Sequence, residues 1–367
     1  MDARAFPAPA GSSVTTSERE QIYSLDHLRF FAASLVFAHH FSFDIVPSPS
    51  NGWLQYIAES WLRWGSNGVS LFLVLSGFIF VTICRDKEII YHKFIINRVL
   101  RIFPLLIVVM LLLLTTARAT WSPLDLLRFI FLQMNTGNAV TGWGSEFLPF
   151  GITWTIAVEF QFYLLFPLLL VIFRKKDGLQ SIFWMIGTFC LLRLFLGMSK
   201  GPEIYYNAYH TLLSRADQFL IGMLAARVWM ERPLTRAAGI FLLFAGLSIL
   251  TADVLNHGVN LYRLTFGLTI EAMAWALVIL GYASSFRASG EFSRFLSKLG
   301  NLTYSLYLLH LFFGRQLLER ALEKGWGLGS PVFDFLIYAY LPTLALSVVT
   351  YMGIERPFQR MKVSYLR

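Results

Sequence analysis

Charge is scarce in this 367-residue sequence: 14% of its residues are Asp, Glu, Lys or Arg, against 56% hydrophobic. Soluble domains carry about 25% charged residues, and a mean hydropathy of +0.57 lies well to the apolar side. The deficit excludes a water-soluble globular fold and leaves a polytopic membrane protein. Cysteine is nearly absent. Cys84 and Cys190 stand in or beside apolar stretches without CxxC spacing, which argues against a disulfide framework or a thiolate metal site and reads both as packing residues. No Gly-rich phosphate loop, heptad register or internal repeat occurs, which sets aside P-loop nucleotide binding, coiled coils and solenoids. The opening residues, MDARAFPAPAGSSVTTSERE, have no apolar core of a cleavable signal and read as a disordered cytoplasmic tail. No long polar block interrupts the rest of the chain. The expected organisation is a tail over 1–22, one membrane domain over 23–358 and a basic cytoplasmic tail over 359–367.

What the sequence has in abundance is apolar runs. A helix rises about 1.5 Å per residue and hydrocarbon is about 30 Å thick, so spans need roughly 17–25 residues. Candidates are centred in 26–46, 67–84, 100–118, 151–173, 180–198, 210–229, 237–253, 264–282, 300–319 and 331–353. They predict an all-α bundle of about ten transmembrane helices. The stretch LDLLRFIFLQM at 124–134 is too short to span and reads as interfacial or re-entrant. Lys and Arg collect in alternate loops, at Arg85 to Arg101, Arg174 to Lys176, Arg227 to Arg236, Arg287 to Lys298 and Arg356 to Arg367. That alternation puts these loops and both termini in the cytoplasm. The net charge of +9 is then topogenic and calls for no nucleic acid.

An ionisable residue inside a span costs about 2.5–3.5 kcal/mol on insertion scales, which makes each a functional candidate. In LDHLRFFAASLVFAHH, Arg29 and His40 are eleven residues apart. Eleven steps of about 100° bring them to one helix face, separated axially by roughly 16 Å. His39 points about 100° away from His40. One face can thus receive an anion at Arg29 and carry out proton or nucleophilic chemistry at His40, or Arg29 snorkels and the histidines bond neighbouring helices. No HxxxH or carboxylate spacing supports a metal. In WTIAVEFQFYLLFP, Glu159 shares a face with Tyr163 and either orients a base, binds substrate or pairs with an arginine. In NLTYSLYLLH, Tyr307 and His310 are neighbours three apart. Arg215 and Asp217, with Arg193 nearby, line an outward cavity or form a structural ion pair. Arg98 and Arg101 share a face at the start of the third span and suit a phosphate clamp. Ser76 and Gly77 allow close helix approach or a backbone opening. Trp121, Trp143, Tyr205 and Tyr206 in the outer loops suit sugar stacking or an interfacial belt.

Read in order, these blocks resemble the acyltransferase family 3 membrane proteins, which O-acylate bacterial glycans and other acceptors. The opening with Arg29 and His40, GVSLFLVLSGF, NRVLRIFPL, WTIAVEFQFYLLFP, RADQFLIGMLAA, LGNLTYSLYLLH and the closing IERPF fall where that family has matching blocks, over about residues 22–358. The family commonly has Gly where His27 stands, Asp where Ser70 stands and a second acid where Phe160 stands. Some members carry a fused extracytoplasmic SGNH hydrolase-like domain, for which this sequence leaves no room. The resemblance implies an acyl-CoA donor, acetyl-CoA foremost, with no metal, and a glycan or lipid-linked saccharide acceptor across the membrane lipid. Acylation is then direct or passes through a separate polysaccharide-assembly partner. On this reading Arg29, Arg98 and Arg101, with Ser76, hold the donor, and His40, helped by Glu159, handles the acyl group. Arg215, Asp217, Tyr307 and His310 belong to the acceptor side. The competing classes are a transporter or flippase-like protein and a scaffold of polysaccharide assembly, both without bond chemistry.

Overall fold

The computed structural model describes residues 16–46, 52–116, 123–135, 150–200, 209–256, 261–286 and 290–367. Among these residues the regular structure is helical, and the one extended pairing is an isolated antiparallel bridge between Ile89 and Leu366. All ten apolar runs fall on helices. These are α1 (Thr16–His40), α2 (Asn67–Cys84), α3 (Tyr91–Thr116), α4 (Phe150–Phe173), α5 (Gly178–Lys200), α6 (Leu212–Glu231), α7 (Arg236–Leu255) and α8 (Leu268–Ser285). Helix α9 comprises Thr303–Leu309, a π-helical segment His310–Arg315 and Gln316–Glu323, and α10 runs from Pro331 to Gln359 through two further π segments, Phe335–Tyr340 and Tyr351–Glu355. Seven of the ten, all but α1, α6 and α9, are long and apolar enough to cross a membrane. The chain is a multi-pass helical membrane protein. The three that fall short by composition carry Asp26 and Arg29, Arg215 and Asp217, and His310 and Arg315, so the shortfall marks where polar groups are buried.

Helix α1 begins at Thr16, inside the stretch read from the sequence as a tail, and residues 1–15 lie outside the described residues, as do Trp121, Trp143, Tyr205 and Tyr206. The bundle is apolar outside, and its largely apolar core holds the buried polar groups. Trp184 and Phe195 on α5 are 71% and 68% exposed, while Arg193 on the same helix is fully buried. In lipid this arrangement satisfies each surface: hydrocarbon meets side chains as apolar as itself, and charges face protein partners. The segment 124–134 forms a short helix, Pro123–Ile130, and then folds back so that Asn135 and Gln161 of α4 exchange amide hydrogen bonds of 3.0 and 2.8 Å. It enters the bundle without spanning it.

Helices α2 and α6 cross at two glycines. A Cβ on Gly77 would stand 2.1 Å from the carbonyl oxygen of Phe219, and one on Gly222 would stand 2.1 Å from that of Val74. Backbone fills the space, so neither site can yield by a rotamer change. Gly77→Val is expected to separate the helices and abolish the monodisperse, detergent-stable species in fluorescence-detected size exclusion, at a cost beyond the about 1–3 kcal/mol of ordinary overpacking.

Candidate active site

Five helices, α1, α2, α3, α4 and α9, bring the sequence-selected residues into two clusters joined through the core. The first lies at the end bearing the basic loops. On α1, Arg29 Nη1 bonds Asp26 Oδ1 at 3.2 Å. Arg101 of α3 stands close enough to Arg29, Glu159 and Tyr163 for all four to interact electrostatically. Arg98, one turn before Arg101, sets its guanidinium over the rings of Phe80, Phe94 and Tyr163 at 5.1, 5.2 and 5.6 Å. Cation–π contact of this kind holds a guanidinium in an apolar wall without neutralising it. Glu159 Oε1 accepts hydrogen bonds from Ser76 Oγ at 3.2 Å and from the Tyr163 hydroxyl.

The second cluster surrounds the end of α1. His40 is its last residue, half-buried, and its ring lies 5.1 Å from that of His310 at an interplanar angle of 34°. His310 is fully buried. Its Nδ1 is bonded to the carbonyl oxygen of Tyr307. A carbonyl only accepts, so Nδ1 carries the proton and Nε2 is a bare lone pair, buried without a hydrogen-bond partner. His39 faces the backbone of Leu62 and Arg63, with its ring 5.1 Å from that of His40.

Arg315 was not singled out by the sequence and organises this end. Its Nη2 donates to the His40 carbonyl at 2.6 Å, its Nη1 pairs with Asp44 Oδ2 at 2.6 Å, and its guanidinium stacks 4.2 Å over the Phe41 ring. A cation on the last carbonyls of a helix satisfies the groups that have no intrahelical partner and complements the dipole. His310 and Arg315 are five residues apart, which a regular α-helix separates by about 140°. The π segment His310–Arg315, with its i→i+5 bonding, turns both toward the end of α1.

Between the clusters runs a file of polar groups. Tyr163, Glu159 and Thr155 recur at four-residue intervals on one face of α4, about 6 Å apart along the axis. Tyr304, Tyr307 and His310 recur at three-residue intervals on α9. The two files meet where Thr155 Oγ1 donates to the Tyr307 hydroxyl at 2.8 Å, and that hydroxyl donates to the Ile152 carbonyl at 2.9 Å. Tyr304 donates to the Ile102 carbonyl at 2.7 Å. Arg29 and His40 therefore mark the two ends of a polar track through the core, roughly 16 Å apart along α1.

Two expectations require correction. Glu159 does not meet His40: its partners are Ser76 and Tyr163, and its charged neighbours are Arg29 and Arg101. Helix α4 runs so that Thr155, not Glu159, reaches the histidine end. Asp217 is likewise no cavity residue. Its Oδ2 pairs with Arg193 Nη2 at 2.8 Å with both side chains fully buried, and Thr269 Oγ1 reaches both. Arg215, also fully buried, bonds Ser70 Oγ at 3.1 Å and lies 3.8 Å over the Tyr209 ring. Ser70, where a carboxylate was the family expectation, serves as a neutral acceptor to Arg215 and Gln218. Gly77, as read, is a packing residue, whereas Ser76 beside it faces Glu159. Cys84 and Cys190 are both free thiols.

The described residues thus form a polytopic helical bundle with a basic cluster at one end of a buried file of polar groups and two neighbouring imidazoles at the other. The chain belongs to the family whose profile, that of an acyltransferase domain, matches residues 22–352. Among similar proteins is the peptidoglycan O-acetyltransferase OatA of Listeria monocytogenes, 25% identical over 81% of this chain and 50% of its own length. Another is YrhL of Bacillus subtilis, 24% identical over 94% of this chain and 56% of its own, whose name assigns it provisionally as a peptidoglycan O-acetyltransferase. The chain thus spans about half the length of these relatives. No solved structure matches it.

Proposed function

We propose that this protein is a membrane O-acetyltransferase that takes an acetyl group from acetyl-CoA on the cytoplasmic side and delivers it to a hydroxyl of a cell-surface or exported glycan. The observation that carries this reading is the polar track joining Arg29, Arg98 and Arg101 to His40. A donor whose phosphates are held by arginines needs an arm long enough to present its thioester about 16 Å deeper, at the imidazole. The pantetheine arm of CoA has that reach. At the histidine end, a nitrogen of His40 takes the proton of the acceptor hydroxyl as its oxygen attacks the thioester carbon. The C–O bond forms, the C–S bond breaks, and the proton passes from His40 to the departing CoA thiolate. His310, its Nδ1 held by the Tyr307 carbonyl, sets a second imidazole 5.1 Å from the His40 ring, where its charge state bears on the base. The relatives named for peptidoglycan O-acetylation support an extracytoplasmic glycan as acceptor, and peptidoglycan is the first to test.

Purified protein in liposomes, given acetyl-CoA labelled in the acetyl group, is expected to transfer label to peptidoglycan fragments or another supplied glycan. Absence of acetyl-CoA consumption with every acceptor would favour a transporter or scaffold. Within this reading, Arg98→Ala and Arg101→Ala each remove a charge-assisted bond worth about 1.5–3 kcal/mol. Initial-rate measurements are expected to show KM for acetyl-CoA raised about 10–100-fold, with kcat changed far less, because the phosphates are bound equally in ground and transition states.

A further inference from the structure

The donor end is closed by a part of the chain that no motif announced. After α10 ends at Gln359, the last residues turn back and run along the start of α3. Asn97, almost fully buried, clamps Val363 from both sides: its Nδ2 donates to the Val363 carbonyl at 2.7 Å and its Oδ1 accepts from the Val363 N–H at 3.0 Å. Further along, Ile90 N–H donates to the Tyr365 carbonyl at 2.8 Å, Glu88 and Arg367 exchange backbone bonds of 3.0 and 3.1 Å, and the Tyr365 ring packs edge-on against Phe94 at 5.4 Å. Such pairing gives a terminal segment one defined path.

That path places Lys362, the residue before the clamp, beside the arginines. Asn97 precedes Arg98 directly and shares a helix face with Arg101, four residues on. Lys362 is half-buried, and the charged groups that act on it are Arg98 and Arg101 of α3, Arg29 of α1 and Glu355 of α10. No carboxylate among the described residues lies within 4.0 Å of Arg98, Arg101 or Lys362, and Arg98 Nε is buried without a hydrogen-bond partner. Glu355 is engaged by Ser305 and Gln359. Glu159, Glu355 and Asp26 act on this cluster without pairing directly with Arg98, Arg101 or Lys362, and cations gathered this closely are complementary to a polyanion.

Building on the acetyl-CoA reading above, we infer that the C-terminal strap is part of the donor site and that Lys362 is its fourth phosphate-binding cation, completing the set begun by Arg29, Arg98 and Arg101. This arrangement couples binding to protons. Burial and the three arginines push the Lys362 ammonium down to about 6, so at pH 7.5 it is mostly neutral while the site is empty. A bound phosphate restores the charge by adding the missing opposite one. Binding then takes up a proton, and affinity falls as pH rises above 6, by up to tenfold per pH unit. An arginine at this position stays charged throughout.

The test uses CoA itself, which binds without turnover, and the full-length protein in phosphatidylcholine nanodiscs, by calorimetry in two buffers of different ionisation enthalpy at pH 6, 7 and 8. Comparing Lys362→Gln and Lys362→Arg with wild type cancels the ionisation of CoA's own phosphates. The expected results are proton uptake by wild type at pH 7 and 8 that both variants lose, at least tenfold weaker binding by Lys362→Gln at pH 6, and wild-type affinity or better at pH 8 for Lys362→Arg. Asn97→Ala, which frees the strap, is expected to match Lys362→Gln. Equal affinity and equal proton uptake in wild type and Lys362→Gln would overturn the inference while leaving CoA as donor. So would an effect of Lys362 confined to phosphatidylglycerol nanodiscs, which assigns it to lipid headgroups. A wild type that binds no CoA would instead overturn the donor reading beneath it.

Discussion

His40→Ala is expected to lower acetyl transfer by about 10²–10⁴-fold, the range that a positioned general base supplies, while His39→Ala stays within a few-fold of wild type. The two residues are adjacent and chemically identical, so the contrast isolates geometry. His40 ends α1 half-exposed with its ring 5.1 Å from that of His310 and its carbonyl held by Arg315. His39 is turned to the backbone of Leu62 and Arg63 and serves packing. His310→Ala should fall between them and alter the pH–rate profile, because it removes the imidazole whose ring neighbours that of His40. His310→Gln, with an amide oxygen near the position of Nε2, should recover part of the loss. The measurement is single-turnover transfer from labelled acetyl-CoA, with each variant first shown by size exclusion and thermal unfolding to retain the fold. Full activity in His40→Ala would remove the imidazole from the mechanism and shift attention to Tyr307 and Glu159.

The second large effect concerns stability. Asp217→Ala is expected to destabilise the folded bundle by about 3–5 kcal/mol, the cost of leaving a buried charge unpaired. Arg193 is fully buried, and Asp217 Oδ2 is its carboxylate partner at 2.8 Å, supported by Thr269 and by the carbonyls of Ser214 and Thr265. Removing the acid strands the guanidinium. Replacing both partners, as in Arg193→Met with Asp217→Leu, should recover much of the loss, since the pair's desolvation cost disappears with it. Thermal unfolding in detergent with a lipid-soluble dye reads both. A folded, stable Asp217→Ala protein with reduced transfer would restore Asp217 to the acceptor side and contradict the buried-pair assignment.

The site was legible in part, and the pattern tracks range. Arg29 with His40, and Arg98 with Arg101, are intrahelical relations, and a helix converts sequence spacing into angle and rise by fixed geometry. Glu159 with Tyr163 was legible for the same reason. The partner of Glu159 was not, because helix α4 is apolar around much of its circumference and its sequence does not say which polar residue will meet which neighbour. Asp217 and Arg193 lie on different helices, so a cavity and an ion pair remained equivalent until the bundle closed. Lys362 read as topogenic charge in the last basic segment, and Arg315, inside a span, was not singled out at all. Only the π turn that swings Arg315 under α1, and the reciprocal Asn97 clamp that pins the strap, give them their places.

By itself, then, the sequence determined an all-helical membrane protein, the positions of its apolar helices and the residues too costly to bury without a purpose, because hydropathy and helical period are local properties of the chain. Tertiary structure alone decided the pairings: Glu159 with Ser76 rather than His40, Asp217 with Arg193, His310 with His40, and Lys362 beside three arginines. In a low-dielectric interior each buried charge must find its partner among helices distant in sequence, and that choice is made by packing, which no single segment encodes.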